Sequence, residues 1–166
     1  MSEARPQARA VNCRCGAVAL EVTGSPIITT ACQCSSCRKA GRLLEALPGA
    51  APVLDAEGGT PCMLYRKDRV RCERGAVHLR EHRLDPGSPT RRVVATCCNT
   101  AMFLDFTKGH WLTIYRDRVE NAGAGESGHR RSSLAFVLRL LAAWAAMGFR
   151  TPEITFVGGR LNGAES

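Results

Sequence analysis

Seven cysteines in three tight groups constrain this chain more than any of its other features. They stand as Cys13-Arg-Cys15-Gly16, Cys32-Gln-Cys34-Ser-Ser-Cys37 and Cys97-Cys98-Asn99-Thr100. Residues two apart on an extended strand face the same way, so Cys13 with Cys15, and Cys32 with Cys34, can each aim two sulfurs at one point. The gap between Cys34 and Cys37 resembles the knuckle turns that bring thiolates to about 2.3 Å from a zinc ion. Gly16 lets the backbone bend just past its pair. Cys97 and Cys98 would point to opposite faces of a straight strand, so Cys97 can join a site only where the chain turns.

The alternative use of nine cysteines is a set of disulfides, but an odd number cannot pair within one chain. The N-terminal stretch MSEARPQARA also lacks the continuous apolar run of an export signal. A cytoplasmic protein with reduced thiols is therefore expected, and metal binding or buried free thiols follow from that. The apolar run at 134–149 is interrupted by Arg139 and is short for a bilayer, which argues against a membrane protein. With 166 residues and 45% hydrophobic content the chain can build one ordinary domain. Aromatic residues are only 5%, so metal crosslinks would help a core made of Val, Leu, Ile and Ala. The net charge of +8 could attract anions, yet the arginines are scattered and few aromatics interleave them. That pattern argues for a solvated basic surface and against a nucleic-acid partner.

Along the chain, residues 1–10 read as a flexible leader and 11–116 as the metal-binding domain. Alternation over 17–22 marks a strand, Gly24 to Pro26 a turn, and 27–31 a second strand, which together make a hairpin between the first two cysteine groups. Residues 47–61, rich in Ala, Pro and Gly, read as a loop. Further strands are expected at 62–67, 77–84, 91–95, 101–106 and 111–116. Residues 117–131 read as a flexible connection, and 132–157 as a helix with an extension packed on the domain. Ser132 or Ser133 can cap that helix, Gly148 can end it, and 158–166 should be a frayed tail. One stripe of the helix carries Leu134, Val137, Leu141 and Trp144, and another carries Phe136, Leu140, Ala143 and Met147. It needs cover on more than one face, from the sheet, from a homodimer contact through 134–147, or from a membrane surface.

The groups differ in what they offer a metal. Cys13, Cys15 and one or both of Cys97 and Cys98 can close a four-sulfur site, whereas Cys32, Cys34 and Cys37 give three sulfurs and leave a position open. Zinc, one or two ions per chain, suits the short paired spacings, and iron is the competitor because thiolates serve both. A small thiol or carbonyl entering the open position would meet a Lewis acid, with Arg38 and Lys39 adding positive potential beside it. Among other candidates, His78 and His82 share a strand face if 77–84 is extended, His110 and His129 sit in surface-like turns, and Cys62 and Cys72 read as core or incidental thiols. Asp105 and Asp117 show no acid–base pairing.

In this order and spacing, the three groups resemble the glutathione-dependent formaldehyde-activating enzyme family, which includes the centromere-protein-V relatives. The resemblance spans about 11–116 and rests mainly on Cys13-x-Cys15-Gly16 and Cys32-x-Cys34-Ser-x-Cys37-Arg38. It implies a mainly β fold, a β-tent of antiparallel sheets clamped by zinc, here with one C-terminal helix. It also implies a structural zinc on the first and last pairs, and on Cys32, Cys34 and Cys37 a zinc linked to glutathione adduct formation. The family's last motif reads Cys-x-x-Cys-Gly-Thr, whereas this chain has Ala95-Thr96-Cys97-Cys98-Asn99-Thr100, so Ala95 stands where a ligand is expected and the chain falls on a divergent branch. The implied function is carbon–sulfur lyase chemistry, the addition of a thiol such as glutathione to formaldehyde or a related small aldehyde. The alternative is a non-catalytic binding module held together by zinc.

Overall fold

The computed structural model describes residues 7–123 and 134–161. Nine strands form two antiparallel sheets among these residues. Strands β1 (Ala8–Asn12), β2 (Ala19–Thr23) and β5 (Val70–Arg74) make the smaller sheet, in the order β1-β2-β5. The larger sheet uses β3 (Ile28–Cys32), β4 (Thr60–Arg66), β6 (Leu79–His82), β7 (Thr90–Ala95), β8 (Thr100–Phe106) and β9 (Trp111–Tyr115). Its order is β3-β4-β9-β8-β7-β6.

The sheets meet face to face because their alternating residues supply two apolar surfaces. Leu20, Val22 and Val70 from the smaller sheet pack on Met63, Tyr65, Val93, Phe103, Leu112 and Ile114 of the larger one. Strand β8 is buried on both faces, which requires cover on the side away from the smaller sheet. Helix α1 (Ser35–Glu45) and the loop after it provide part of that cover, with Leu44 and Val53 against Val94, Ala101 and Tyr115. Helix α2 (Leu134–Ala146) provides another part, with Phe136 and Leu140 against Ile28, Leu64 and Trp111. The opposite stripe of α2 stays exposed, Leu134 at 74% and Leu138 at 55%.

An ion network lies at the end of β8. Asp105 pairs with Lys67 at 2.8 Å and with Arg91 at 2.9 Å, and Arg91 also reaches Glu81 at 3.0 Å. Lys67 donates a further hydrogen bond to the Phe106 carbonyl, so the buried ammonium has two partners.

The structure departs from several sequence expectations. The leader ends early, since Ala8 to Ala10 already pair with β2. β2 and β3 do not form a hairpin, because the turn at Gly24 sends them into different sheets. Helix α1 and strand β5 were not anticipated. A 3-10 turn at Ala76–His78 takes His78 off the strand that carries His82. Residues 116–118 make a 3-10 turn and Val119 bridges to Val11, so the connection is ordered at its start. The tail hydrogen-bonds beside β6, with Gly158 N–H donating to Leu79 and Leu161 N–H to Glu81. Residues 1–6, 124–133 with His129, Ser132 and Ser133, and 162–166 lie outside the described residues. No helix among the described residues is long and apolar enough to cross a membrane.

Candidate metal centres

Each cysteine group is placed by a turn or a helix end. In the first, Cys13 follows β1 and a tight turn returns the chain to β2. Gly16 sits in that turn at φ 78°, and its N–H donates to the Cys13 carbonyl. The Cys13 N–H donates to the Val18 carbonyl at 3.1 Å, and the Val18 N–H donates to the Cys13 sulfur at 3.2 Å. The third group forms the turn between β7 and β8, where Asn99 adopts φ 51°. That left-handed residue is tolerated because Asn can bond locally, and its side chain donates to the Pro48 carbonyl. The turn brings Cys97 round beside Cys98 even though Ala95 occupies the strand end.

The four sulfurs of Cys13, Cys15, Cys97 and Cys98 all lie within 4.8 Å of one another. Cys13 is 3.6 Å from Cys15 and 3.8 Å from Cys97, and Cys97 is 4.0 Å from Cys98. A tetrahedron of thiolates at about 2.3 Å from zinc has edges of about 3.8 Å. The spacing therefore fits one tetrahedral ion. Because Cys13 and Cys15 belong to the smaller sheet's turn and Cys97 and Cys98 to the larger sheet's, an ion here would clamp the two sheets.

The surroundings of this group separate its protons. Burial raises the thiols of Cys13 and Cys97 above their ordinary value. At Cys98 burial also pushes upward, but the Thr100 hydroxyl, the Cys15 N–H and the neighbouring thiols outweigh it and bring this sulfur down to about 6. Thr100 is fully buried and accepts the Arg14 N–H at 3.2 Å, which leaves its own hydrogen for the Cys98 sulfur at 3.0 Å. It fixes the direction of the Cys98 sulfur, as a hydrogen bond to a metal-binding side chain would.

The second group spans a strand end and a helix start. Cys32 closes β3, Cys34 caps α1 by accepting the Cys37 N–H at 3.4 Å, and Cys37 sits in the first turn. The expected knuckle is thus the N-terminus of a helix, whose unpaired N–H groups favour negative charge. The three sulfurs lie within 4.8 Å of one another, with Cys32 to Cys34 at 3.4 Å. Cys37 is raised first by its hydrogen bond with Cys32 and then by burial. Three convergent sulfurs with no fourth among the described residues suit a divalent ion that keeps one position for a small molecule.

Beside Cys34 and Cys37 opens a cleft of about 340 Å³. Its wall is apolar, from Leu104, Phe106 and Trp111 of the sheet and Phe136 and Leu140 of α2. Its polar lining is Ser36, Thr90 and Arg92. Helix α2, expected to pack on the sheet or to meet a second copy or a membrane surface, forms one wall of the cleft. Arg38 leans on the Gln33 side chain and Lys39 is exposed, and neither lines the cleft. Sequence reasoning missed Arg92. The signal was a charged residue two after Thr90 and two before Val94, on a strand whose other members are mostly apolar.

The remaining candidates fall elsewhere. His82 is buried, and burial lowers its pKa, with the nearby Arg92 acting the same way. His110, expected at the surface, is buried; its Nε2 contacts the Leu140 carbonyl at 2.8 Å and its ring stacks on Trp144. Cys62 is a core residue and Cys72 packs partly buried against the main core. Asp105 belongs to the ion network, and Asp117 lies in the 3-10 turn after β9.

The sequence profile of the family described as glutathione-dependent formaldehyde-activating enzyme matches residues 8–48, which include the first two cysteine groups. The resemblance read from the motifs is thereby borne out over that segment. A crystal structure of a protein from Rhodobacter sphaeroides is similar in fold, with a TM-score of 0.50 at 18% identity, covering 69% of this chain and 91% of that one. No curated protein matches the sequence significantly.

Proposed function

We propose that this protein promotes the addition of a small thiol, such as glutathione, to formaldehyde or a related small aldehyde, using zinc at Cys32, Cys34 and Cys37. The observation that carries the reading is the three-sulfur group opening onto a cleft, beside a closed four-sulfur group. In the addition, the thiol sulfur forms a bond to the carbonyl carbon, the carbon–oxygen π bond opens, and the thiol proton ends on the new hydroxyl. All atoms of both reactants are kept, and the reverse step releases them. A divalent ion at the triad supplies Lewis acidity and favours the thiolate form of a bound thiol.

The chain's own residues do the rest. The start of α1 presents N–H groups and holds Cys34 and Cys37 in one turn. The apolar wall of Leu104, Phe106, Trp111, Phe136 and Leu140 lowers the polarity on one side of the cleft, which strengthens polar interactions there. Arg38 and Lys39 add positive potential outside it, where they can steer acidic thiols. The closed group at Cys13, Cys15, Cys97 and Cys98 holds structure only.

Zinc content and adduct formation in the intact chain, Cys37→Ser and Cys98→Ser test the reading together. Formaldehyde and glutathione also combine unaided, so the quantity is the rate above that background. Acceleration lost in Cys37→Ser, with the fold retained, supports it. Two bound zinc ions without any acceleration would favour a second reading, a zinc-stabilised binding module, whose supporting observation is the exposed apolar stripe of α2.

A further inference from the structure

Arg92 is 2% exposed on β7, at the floor of the cleft. A buried guanidinium is costly unless a negative group faces it. Its neighbour Arg91 meets that demand twice over, with Glu81 and Asp105. For Arg92 no carboxylate among the described residues does so. Nη2 donates to the Ser36 carbonyl at a long 3.3 Å, and Nε is buried without a partner. The register explains the difference: adjacent strand residues face opposite ways, so Arg91 joins the network while Arg92 shares its face with Thr90, also in the cleft lining. The cleft therefore combines two of the three triad sulfurs, Cys34 and Cys37, with one unmatched cation and an apolar wall.

We propose that Arg92 receives the carboxylate of the incoming thiol, so that the site selects small thiols carrying an acid group a few atoms from sulfur. The inference rests on the reading that the triad site takes a thiol, and it names which thiols. The guanidinium fork suits a planar carboxylate and offers it charge-assisted hydrogen bonds. The apolar wall then fits the short carbon chain between acid and sulfur. A neutral thiol of the same shape leaves the buried cation unmatched, and sites of that kind discriminate strongly against ligands that lack the matching group. Arg92 is a specificity-determining residue in this account.

The test is calorimetric binding of 3-mercaptopropionate and of its neutral counterpart 3-mercaptopropanol to the zinc-loaded chain. The acid should bind roughly 10- to 100-fold more tightly. The preference should vanish in Arg92→Met and persist in part in Arg92→Lys, with the melting midpoint and zinc content of each variant recorded alongside. Equal binding of both thiols to the unaltered protein would overturn the proposal while leaving a thiol site intact. Failure of both thiols to bind would sink the thiol-site reading and this inference with it. If Arg92→Met surrenders zinc to a chelator yet keeps the acid preference, the cation belongs to the thiolates, and the proposal is wrong. Should Arg92→Met not fold, the comparison of the two thiols on the unaltered protein and on Arg92→Lys still decides the matter.

Discussion

Replacing Gly75 by alanine should damage the first metal group without touching a ligand. Gly75 adopts φ 77°, and a Cβ there would lie 2.2 Å from the Ala17 carbonyl oxygen and 2.8 Å from the Val18 Cα. The left-handed backbone alone costs an alanine about 1–2 kcal/mol. To reach ordinary contact the carbonyl must also retreat by about 1 Å or more. Ala17 and Val18 close the Cys13 turn, so the shift falls on the Val18 carbonyl that accepts the Cys13 N–H and on the Val18 N–H that donates to the Cys13 sulfur. Weakening these adds about 0.5–1.5 kcal/mol each. Gly16→Ala is the matched control, since Gly16 has φ 78° but nothing within 4 Å of the added carbon. At about 2–4 °C per kcal/mol for a chain of this length, Gly75→Ala should melt roughly 10 °C lower and Gly16→Ala roughly 4 °C lower. Calorimetric melting of both variants, with zinc release to a chelator followed in parallel, checks the pair. Equal melting within about 2 °C would refute the claim that the close approach at Gly75 supports the turn.

Three further outcomes follow from other parts of the fold. Lys67→Met leaves Asp105 with Arg91 alone in a buried setting and should cost about 3 kcal/mol or more in urea unfolding; a loss under about 1 kcal/mol would contradict it. Glu81 is held below the ordinary carboxylate range by the Arg83 hydrogen bond first, against burial, with Arg91 assisting. Its folded pKa is below its unfolded one, so its contribution is complete above the unfolded value and is lost as pH falls through the folded value. Stability should therefore drop below about pH 4, and Glu81→Gln should flatten that limb. An unchanged limb would assign acid sensitivity to other groups. Thr100→Val removes the acceptor for Arg14 N–H and the donor to the Cys98 sulfur, and zinc affinity of the four-sulfur group should fall about 10- to 100-fold in a chelator competition. Unaltered affinity would show that Thr100 does not orient the ligand.

Local pattern was readable where one interaction decided it. Period-two alternation located β2, the turn signal at Gly24 to Pro26 set the start of β3, and the strand-favouring run at Arg91 to Ala95 located β7, because each signal is written within a few residues of chain. The paired cysteines were readable for the same reason, since a chelate needs its donors close in the chain. What depended on distant partners was not. The turn at Gly24 looks the same whether the next strand pairs back or joins another sheet, so a hairpin was expected where the chain changes sheets. Helix α1 begins inside the second cysteine group, and the turn residues there hid its start. Arg92 could be seen as a charge on a strand, but only the topology shows that its face looks into the cleft and that Arg91 faces the acidic network. Cys97 depended on the Asn99 turn, which brings its sulfur beside those of Cys13 and Cys98 where Ala95 carries none.

If two separate thiolate groups each hold one ion, only the second should answer to a small molecule. Loading the chain with cobalt(II) makes both countable, because thiolate coordination colours the ion and the colour changes when a ligand is added. The account predicts two cobalt ions per chain, an absorption change on adding a small thiol that involves one of them, and in Cys37→Ser a single ion whose spectrum ignores the thiol. One ion shared by the two groups, or a thiol response that survives in Cys37→Ser, would contradict it.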